Sequence, residues 1–343
     1  MELDQRSEQI LTTIIEQYIQ NAEPVGSRNL AKVVGVDLSA ATIRNVMSDL
    51  TGLGLIHQLH TSAGRVPTDV GYRYYVDLIQ KNNKSHASYS PKKFGDTKKA
   101  KSIEGILQTI TEELVQTTNC TSVILSPQAG KSQFKKIDFI PLGQTQVLVV
   151  LVTQTGMVKN RILNLKHCPE PETLEKMAKL LQELFTKMTF SQIQEKLMGV
   201  LSSEDTGLTA QAIRLGKKAF NLDQENEDIY LSGESKLCSF PDFGLQGELA
   251  GIFQVLEEKS LISGFLHQAT NGEGVQVAIG HENSVRELGH CSILAMGYGN
   301  AGIKLGSIGV IGPTRMNYPK VIKALDYSSQ KLSFALSQFL DEY

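Results

Sequence analysis

The sequence predicts an α+β multidomain chain: an N-terminal winged helix-turn-helix followed by an antiparallel-sheet domain split by a helix-rich insertion. Three observations lead there. Residues 6–50 hold three amphipathic helix patterns in succession, each bounded by turn residues. A compact strand–turn–strand signal, ending at Pro67, follows them directly. Farther on, alternating strand patterns fall into two blocks separated by about ninety helix-rich residues.

From Arg6 to Ile19, residues Ile10, Leu11, Ile14, Ile15 and Tyr18 recur at helical spacing, and Pro24 closes the segment. Ser27 is a good N-cap for a second helix over Arg28–Val34, with Leu30, Ala31, Val33 and Val34 inward and Gly35 as a left-handed stop. After the turn Val36–Leu38, Ser39 caps a third helix whose inner face is Ile43, Val46, Met47 and Leu50. The opposite face carries Ala41, Arg44, Asn45 and Ser48. A small residue there permits close approach to a groove, while Arg and Asn present paired hydrogen-bonding groups to guanine and adenine edges. Any helix can carry an exposed Arg–Asn pair as solvated surface; three helices in this order favour a reading helix.

Leu55–Leu59 reads as a strand, Thr61–Gly64 as a tight turn and Arg65–Val66 as the return strand, with Pro67 ending the pairing. In this wing Arg65, at the tip, is the expected phosphate or minor-groove contact, and Arg28, Lys32 and Ser39 are further phosphate candidates. Thr42, His60, Thr61 and Ser62 complete the candidate DNA-binding set. The helix opened by Thr68 and Asp69 carries Gly71-Tyr72-Arg73-Tyr74-Tyr75, an aromatic cluster read as packing for the base of the wing rather than as a base-stacking platform.

The expected organisation assigns residues 1–80 to the winged domain and 81–102 to a basic flexible linker. There Asn, Ser, Pro and Gly alternate with Lys84, Lys92, Lys93, Lys98, Lys99 and Lys101. A solvated tether is favoured over a strap lying on DNA. Residues 103–187 and 273–343 form the two parts of the sheet domain. The first holds a helix over Ile103–Thr117, strands at Ser122–Leu125, Phe134–Pro141, Gln146–Thr153 and Val158–Leu165, a turn at 154–156, and a helix from Pro171 to Lys187. The second holds strands at Val275–Gly280, Ser292–Gly297 and Lys304–Ile311 and a closing helix over Tyr318–Leu340. All seven strands are expected in one sheet.

Residues 188–272 are the expected insertion, with amphipathic segments at Gln192–Leu201, Ala210–Phe220 and Leu245–Glu257 and a strand-like Asp228–Leu231. Its apolar residues, Leu249, Ile252, Phe253, Leu256 and Phe265 among them, exceed what a small module usually hides. A self-complementary interface between two copies is the physical reading, with the insertion's own core as the alternative.

Charge adds little: 34 Lys and Arg face 36 Asp and Glu, so any DNA binding must rest on a local patch. The longest purely apolar run, Val147–Val152, is too short to span a bilayer, and Met1–Gln9 is polar and acidic, unlike a signal peptide. Cys120, Cys168, Cys238 and Cys291 form no C-x-x-C pair and suit reduced core thiols in a cytoplasm.

Gly297-Tyr298-Gly299-Asn300-Ala301-Gly302 matches G-x-G-x-x-G, yet Ile303 onward alternates into a strand, so no helix N-terminus awaits a pyrophosphate; a hairpin turn is expected. His57 and His60 lie in the wing without a third ligand. Glu112 and Glu113, adjacent on a helix, point apart, and His281 and His290 have no nucleophile motif beside them. The expectation is a protein that is not an enzyme and holds no metal or cofactor.

The strings S-A-A-T-I-R-N (39–45), H-T-S-A-G-R-V-P-T (60–68), G-Y-R-Y-Y-V-D (71–77) and I-G-P-T-R-M-N-Y-P-K-V-I (311–322) resemble the HrcA heat-inducible transcription repressors of bacteria. The resemblance spans nearly the whole chain. It implies that the sheet domain is GAF-like and that the insertion is a dimerising domain. It also implies a double-stranded DNA target, the CIRCE inverted repeat upstream of chaperone operons, which a homodimer would bind to repress transcription. A further implied partner is the GroEL chaperonin, which would maintain repressor activity. A ligand-sensing regulator, with a small molecule or nucleotide in the GAF-like domain, is the alternative.

Overall fold

The Asp4 side chain accepts a hydrogen bond from the Ser7 backbone N–H at 2.8 Å and so starts α1 (Gln5–Asn21), which buries Ile10, Leu11, Ile14 and Ile15. Leu30 from α2 (Ser27–Val33) and Ile43, Met47 and Leu50 from α3 (Ala40–Gly52) join them in one core. β1 (Ile56–Gln58) pairs antiparallel with β2 (Arg65–Pro67), and α4 (Asp69–Asn83) packs Tyr72, Tyr75 and Val76 beneath this wing. Pro67 lies inside the ladder, opposite Ile56, rather than beyond it; a two-stranded ribbon tolerates the missing N–H at its outer end. Gly71 permits the close fit of α4, since a Cβ there would lie 2.1 Å from the Leu55 carbonyl oxygen.

The computed structural model describes residues 3–33, 39–60, 64–83, 102–127, 133–154, 158–199, 207–220, 229–244, 246–300 and 303–341. The expected stop at Gly35, the turn at 36–38, the turn residues 155–156 and nearly all of the expected linker (84–101) lie outside them.

A second domain is built on five antiparallel strands in the order β7 (Ile229–Ser232), β3 (Thr121–Leu125), β10 (Ile303–Pro313), β9 (Cys291–Asn300), β8 (Gln276–Ile279). Side chains alternate between its two faces. Ile124, Leu294, Ile308 and Val310 meet α5 (Ile103–Thr118) and α11 (Tyr318–Asp341), whereas Val123, Leu125, Ile293, Ala295 and Ile311 meet α9 (Gln246–Glu257) and α10 (Ser260–Asn271). With both faces covered, β3 is buried at all five positions.

The remaining strands depart from the expected single sheet. β4 (Phe134–Pro141), β5 (Gln146–Thr153) and β6 (Val158–Asn164) form their own three-stranded meander, covered on one face by α6 (Pro171–Phe185), α7 (Phe190–Gly199) and α8 (Leu208–Phe220). The insertion is therefore this β4–α8 lobe, entered after β3 and left before β7. The expected boundary at 187/188 cuts through its core, where Phe220 meets Phe134 and Phe185 edge-on and Phe190 tilted. Segment 229–271 returns instead to the five-stranded sheet. The physical reason is that alternation along a strand specifies its buried face, not its neighbour. Short meander turns pair β4, β5 and β6 locally.

The winged domain sits directly against the second domain. Arg73 on α4 donates through Nε to Glu282 Oε1 at 2.8 Å, through Nη2 to Glu282 Oε2, and again to the Val277 carbonyl at 2.7 Å. Gln80 donates to the Val275 carbonyl at 2.7 Å, and Asp69 accepts from the His281 backbone N–H at 3.0 Å. The Tyr72 and Tyr318 rings pack with centroids 5.8 Å apart. Arg315 joins Asp242 at 2.6 Å to the Ile19 carbonyl at 3.3 Å, fastening the end of α1. The expected role of the aromatic run as base for the wing is thus extended: Tyr75 and Tyr74 turn to Glu16 and Glu8 on α1, and Tyr72 faces the other domain.

All four cysteines are free, and burial pushes the Cys120 and Cys291 thiols up to about 12, which suits inert core positions. Among the described residues no helix is long and apolar enough to cross a membrane.

Candidate nucleic-acid interface

Ala41, Arg44, Asn45 and Ser48 are all exposed on the solvent side of α3, because Ile43, Met47 and Leu50 anchor its other side. Ser39 uses its hydroxyl oxygen as an N-cap, accepting from the Thr42 backbone N–H at 3.1 Å, and its Oγ lies 3.0 Å from the Thr42 hydroxyl. Thr42 is consequently half-buried, while Ser39 stays exposed at the helix start, where unsatisfied N–H groups favour a phosphate. Arg28 and His60 are exposed as well. Thr61, Ser62 and the side chain of Lys32 lie outside the described residues. The arrangement presents one solvent-facing set of Arg and Asn flanked by small residues, with a wing beside it.

Arg65 opens the return strand opposite Gln58, at the turn end of the two-stranded ladder, and exchanges backbone hydrogen bonds of 2.9 Å in both directions with Val25. Its Nε donates to the Thr51 hydroxyl at 3.2 Å, and that hydroxyl donates to the Met47 carbonyl at 2.7 Å. Arg65 thus ties the wing to the last turn of α3. Gly64 allows the third strand-like segment to close in, since a Cβ would come within 2.6 Å of the Val25 carbonyl group. Val25 and Thr51 were not singled out from the sequence. A lone β-branched residue between Pro24 and Gly26 was the available signal for the first.

The patterns suggesting other chemistry resolve into structural roles. Gly297–Gly302 falls at the β9–β10 hairpin, where Asn300 pairs with Ile303, although 301–302 themselves lie outside the described residues. Among the described residues no group of three or more His, Cys, Asp or Glu side chains could hold a metal ion. Glu113 forms an ion pair with Lys331 at 2.5 Å, and His281 Nδ1 lies 2.7 Å from Asp69.

The residues expected to join two copies are not a surface set. Ile252 and Leu256 are buried in the core under the five-stranded sheet, and Leu249, Phe253 and Phe265 pack partly buried against it. The apolar richness of this segment reflects a helical layer covering the five-stranded sheet, which differs also from the alternative of a core belonging to the insertion itself.

Residues 2–81 match the family model described as the winged helix-turn-helix transcription repressor, HrcA DNA-binding, and residues 104–322 match the HrcA protein C-terminal domain. The heat-inducible transcription repressor HrcA of Desulfitobacterium hafniense is 35% identical over 342 residues, which cover 98% of this chain and 99% of that one. The repressor of the same name from Brevibacillus brevis is 36% identical over 340 residues, again 98% and 99% of the two chains. A crystal structure of a hypothetical protein at 2.2 Å resolution superposes with a TM-score of 0.65 at 22% identity, covering 98% of this chain and 100% of its own, and shares the fold. These HrcA relatives are transcription repressors, not enzymes. With both family domains in order along the chain and relatives aligned over nearly its full length, the chain belongs to the HrcA family of heat-inducible transcription repressors.

Proposed function

We propose that the protein is a cytoplasmic dimeric repressor that binds the CIRCE inverted repeat, one winged domain to each half-site, and blocks transcription of chaperone operons by occupying the promoter. The observation that carries this reading is the solvent-facing Ala41–Arg44–Asn45–Ser48 set on a helix braced by its own wing. The α3 face would enter the major groove for specificity, with Arg28, Ser39 and the wing on phosphates for affinity. GroEL, holding the repressor in its folded form, would couple derepression to heat.

Two-fold symmetry in an inverted repeat calls for an isologous interface between copies. Support for its position comes from the outer face of the β4–β6 meander. Ile140, Leu148 and Ile162 align across it, as do Val152 and Val158, and Ile140, Val158 and Ile162 are exposed. Lys136 and Asp138 pair at 2.8 Å on the same face, so these two charges offset each other there. Ile162→Lys is expected to give a folded monomer by sedimentation velocity, because a lysine charge would be desolvated in the sheet-to-sheet contact. An intact dimer would assign the contact to another surface.

The test of function is fluorescence anisotropy on a CIRCE duplex and a scrambled duplex at about 0.15 M salt, where non-specific phosphate binding is weakened. A preference of about a thousandfold or more for CIRCE supports the reading. Equal binding, or none, by folded protein overturns it. The second reading is a ligand-sensing regulator with a GAF-like second domain. It draws on a cleft of about 350 Å³ lined by Leu261, Phe265, Val277, Val285 and Leu288, and predicts saturation by a small molecule instead of duplex DNA.

A further inference from the structure

Strand β8 is the edge of the five-stranded sheet, and an antiparallel edge strand turns the N–H and C=O of alternate residues outward. Here those groups belong to Val275, Val277 and Ile279. Gln80 donates to the Val275 carbonyl at 2.7 Å, Arg73 donates to the Val277 carbonyl at 2.7 Å, and Glu282 accepts from the Ile279 N–H at 2.9 Å. The same Glu282 carboxylate grips Arg73 through both of its oxygens. Helix α4 of the winged domain thereby occupies the place of a missing sixth strand, with its side chains meeting the sheet edge at strand spacing.

The consequence is geometric. α4 and α3 belong to one core with α1, so pinning α4 also pins the reading helix. The pinned pose leaves Ala41, Arg44, Asn45 and Ser48 exposed, so it fixes the direction of the reading face without covering it. A domain held only by a flexible coil of about twenty residues would range over about 25 Å and reach half-sites on either side of a duplex. A clamped domain cannot.

We propose that Arg73, Gln80 and Glu282 are positioning residues that set the separation and rotation between half-sites that the repressor accepts. This rests on the reading of the protein as a dimer on an inverted repeat. The contacts act through orientation and touch no base, so their loss changes which operators bind, not how well one half-site binds.

The experiment measures affinity of the full chain for the inverted-repeat duplex, for the same duplex with its spacer lengthened by about five base pairs, half a helical turn, and for a single half-site. The native protein is expected to lose about a hundredfold on the lengthened duplex, as simultaneous engagement is forbidden. Arg73→Ala and Gln80→Ala are expected to lose under about tenfold on it while holding half-site affinity unchanged. Gln80→Ala removes a single edge contact and keeps the test alive if Arg73→Ala fails to fold. Spacer discrimination in Gln80→Ala and in folded Arg73→Ala equal to that of the native protein overturns the clamp and leaves the repressor reading intact. Native protein that ignores the inverted repeat altogether overturns both.

Discussion

Arg44→Ala is expected to weaken binding to the cognate duplex by about 1–3 kcal/mol per half-site and to relax base preference at one position, while binding to scrambled DNA changes little. The exposed position of Arg44 on α3, one residue from Asn45 and clear of the core, supports a bidentate contact to a base edge. Exposure also makes the substitution safe: with no buried partner lost, the thermal midpoint should stay where it is. The decisive comparison is between the two duplexes. An equal loss on both would make Arg44 a phosphate contact, and the slope of affinity against salt would then fall by about one unit. Specificity would in that case pass to Asn45 and the wing.

Phe220→Ala should have the largest effect on stability, about 3–5 kcal/mol for a fully buried ring. Phe220 is 0% exposed and meets Phe134, Phe185 and Phe190 at centroid distances of 5.4, 5.5 and 5.6 Å, so truncation opens a cavity where strand β4 and helices α6, α7 and α8 converge. Because this lobe has a core separate from that of the winged domain, the loss should appear as an early unfolding transition in calorimetry, with the winged domain melting as before. If the β4–β6 face joins two copies, the same variant sediments as a monomer and retains half-site binding. A single unshifted transition would mean that Phe220 contributes less than its burial implies.

Much of the winged domain was legible locally. Ser39 as a cap, the Ile43–Met47–Leu50 stripe and the helix start at Thr68–Asp69 are signals within a few residues of what they specify, and each appears in the structure as read. The strands of the second domain were also found one by one, because each alternates or runs apolar over its own length. Their partners were not. Leu148, Val150 and Val152 alternate with Val147, Val149 and Leu151 as cleanly as any strand of the main sheet, and nothing in that pattern says that β5 pairs with β4 and β6 in a sheet of their own. Ile252 and Leu256 likewise read as apolar surface or core with equal ease until the sheet face they cover is known. The contacts of Arg73 with Glu282 and Asp69 with His281 join residues more than two hundred positions apart, where no periodicity reaches. Arg65 reads as an outward contact from its place beside a turn; Thr51 and Val25, to which it also bonds, come from other elements.

The point of insertion carries a consequence for how such a chain can be altered. β3 and β7 are neighbours in the sheet, and Leu125 lies directly opposite Ile229, so the chain leaves for the lobe and returns from it across a single strand spacing. Topologically the whole lobe is the loop of a hairpin. Its length is free to vary without moving the strands that bracket it, since the entropy of closing a loop grows only slowly with its length. If the β4–β6 face joins two copies, assembly and DNA reading occupy separable cassettes: the lobe could be shortened to a turn, exchanged or redesigned to dictate how many copies associate, while the sheet edge that holds α4 stays untouched.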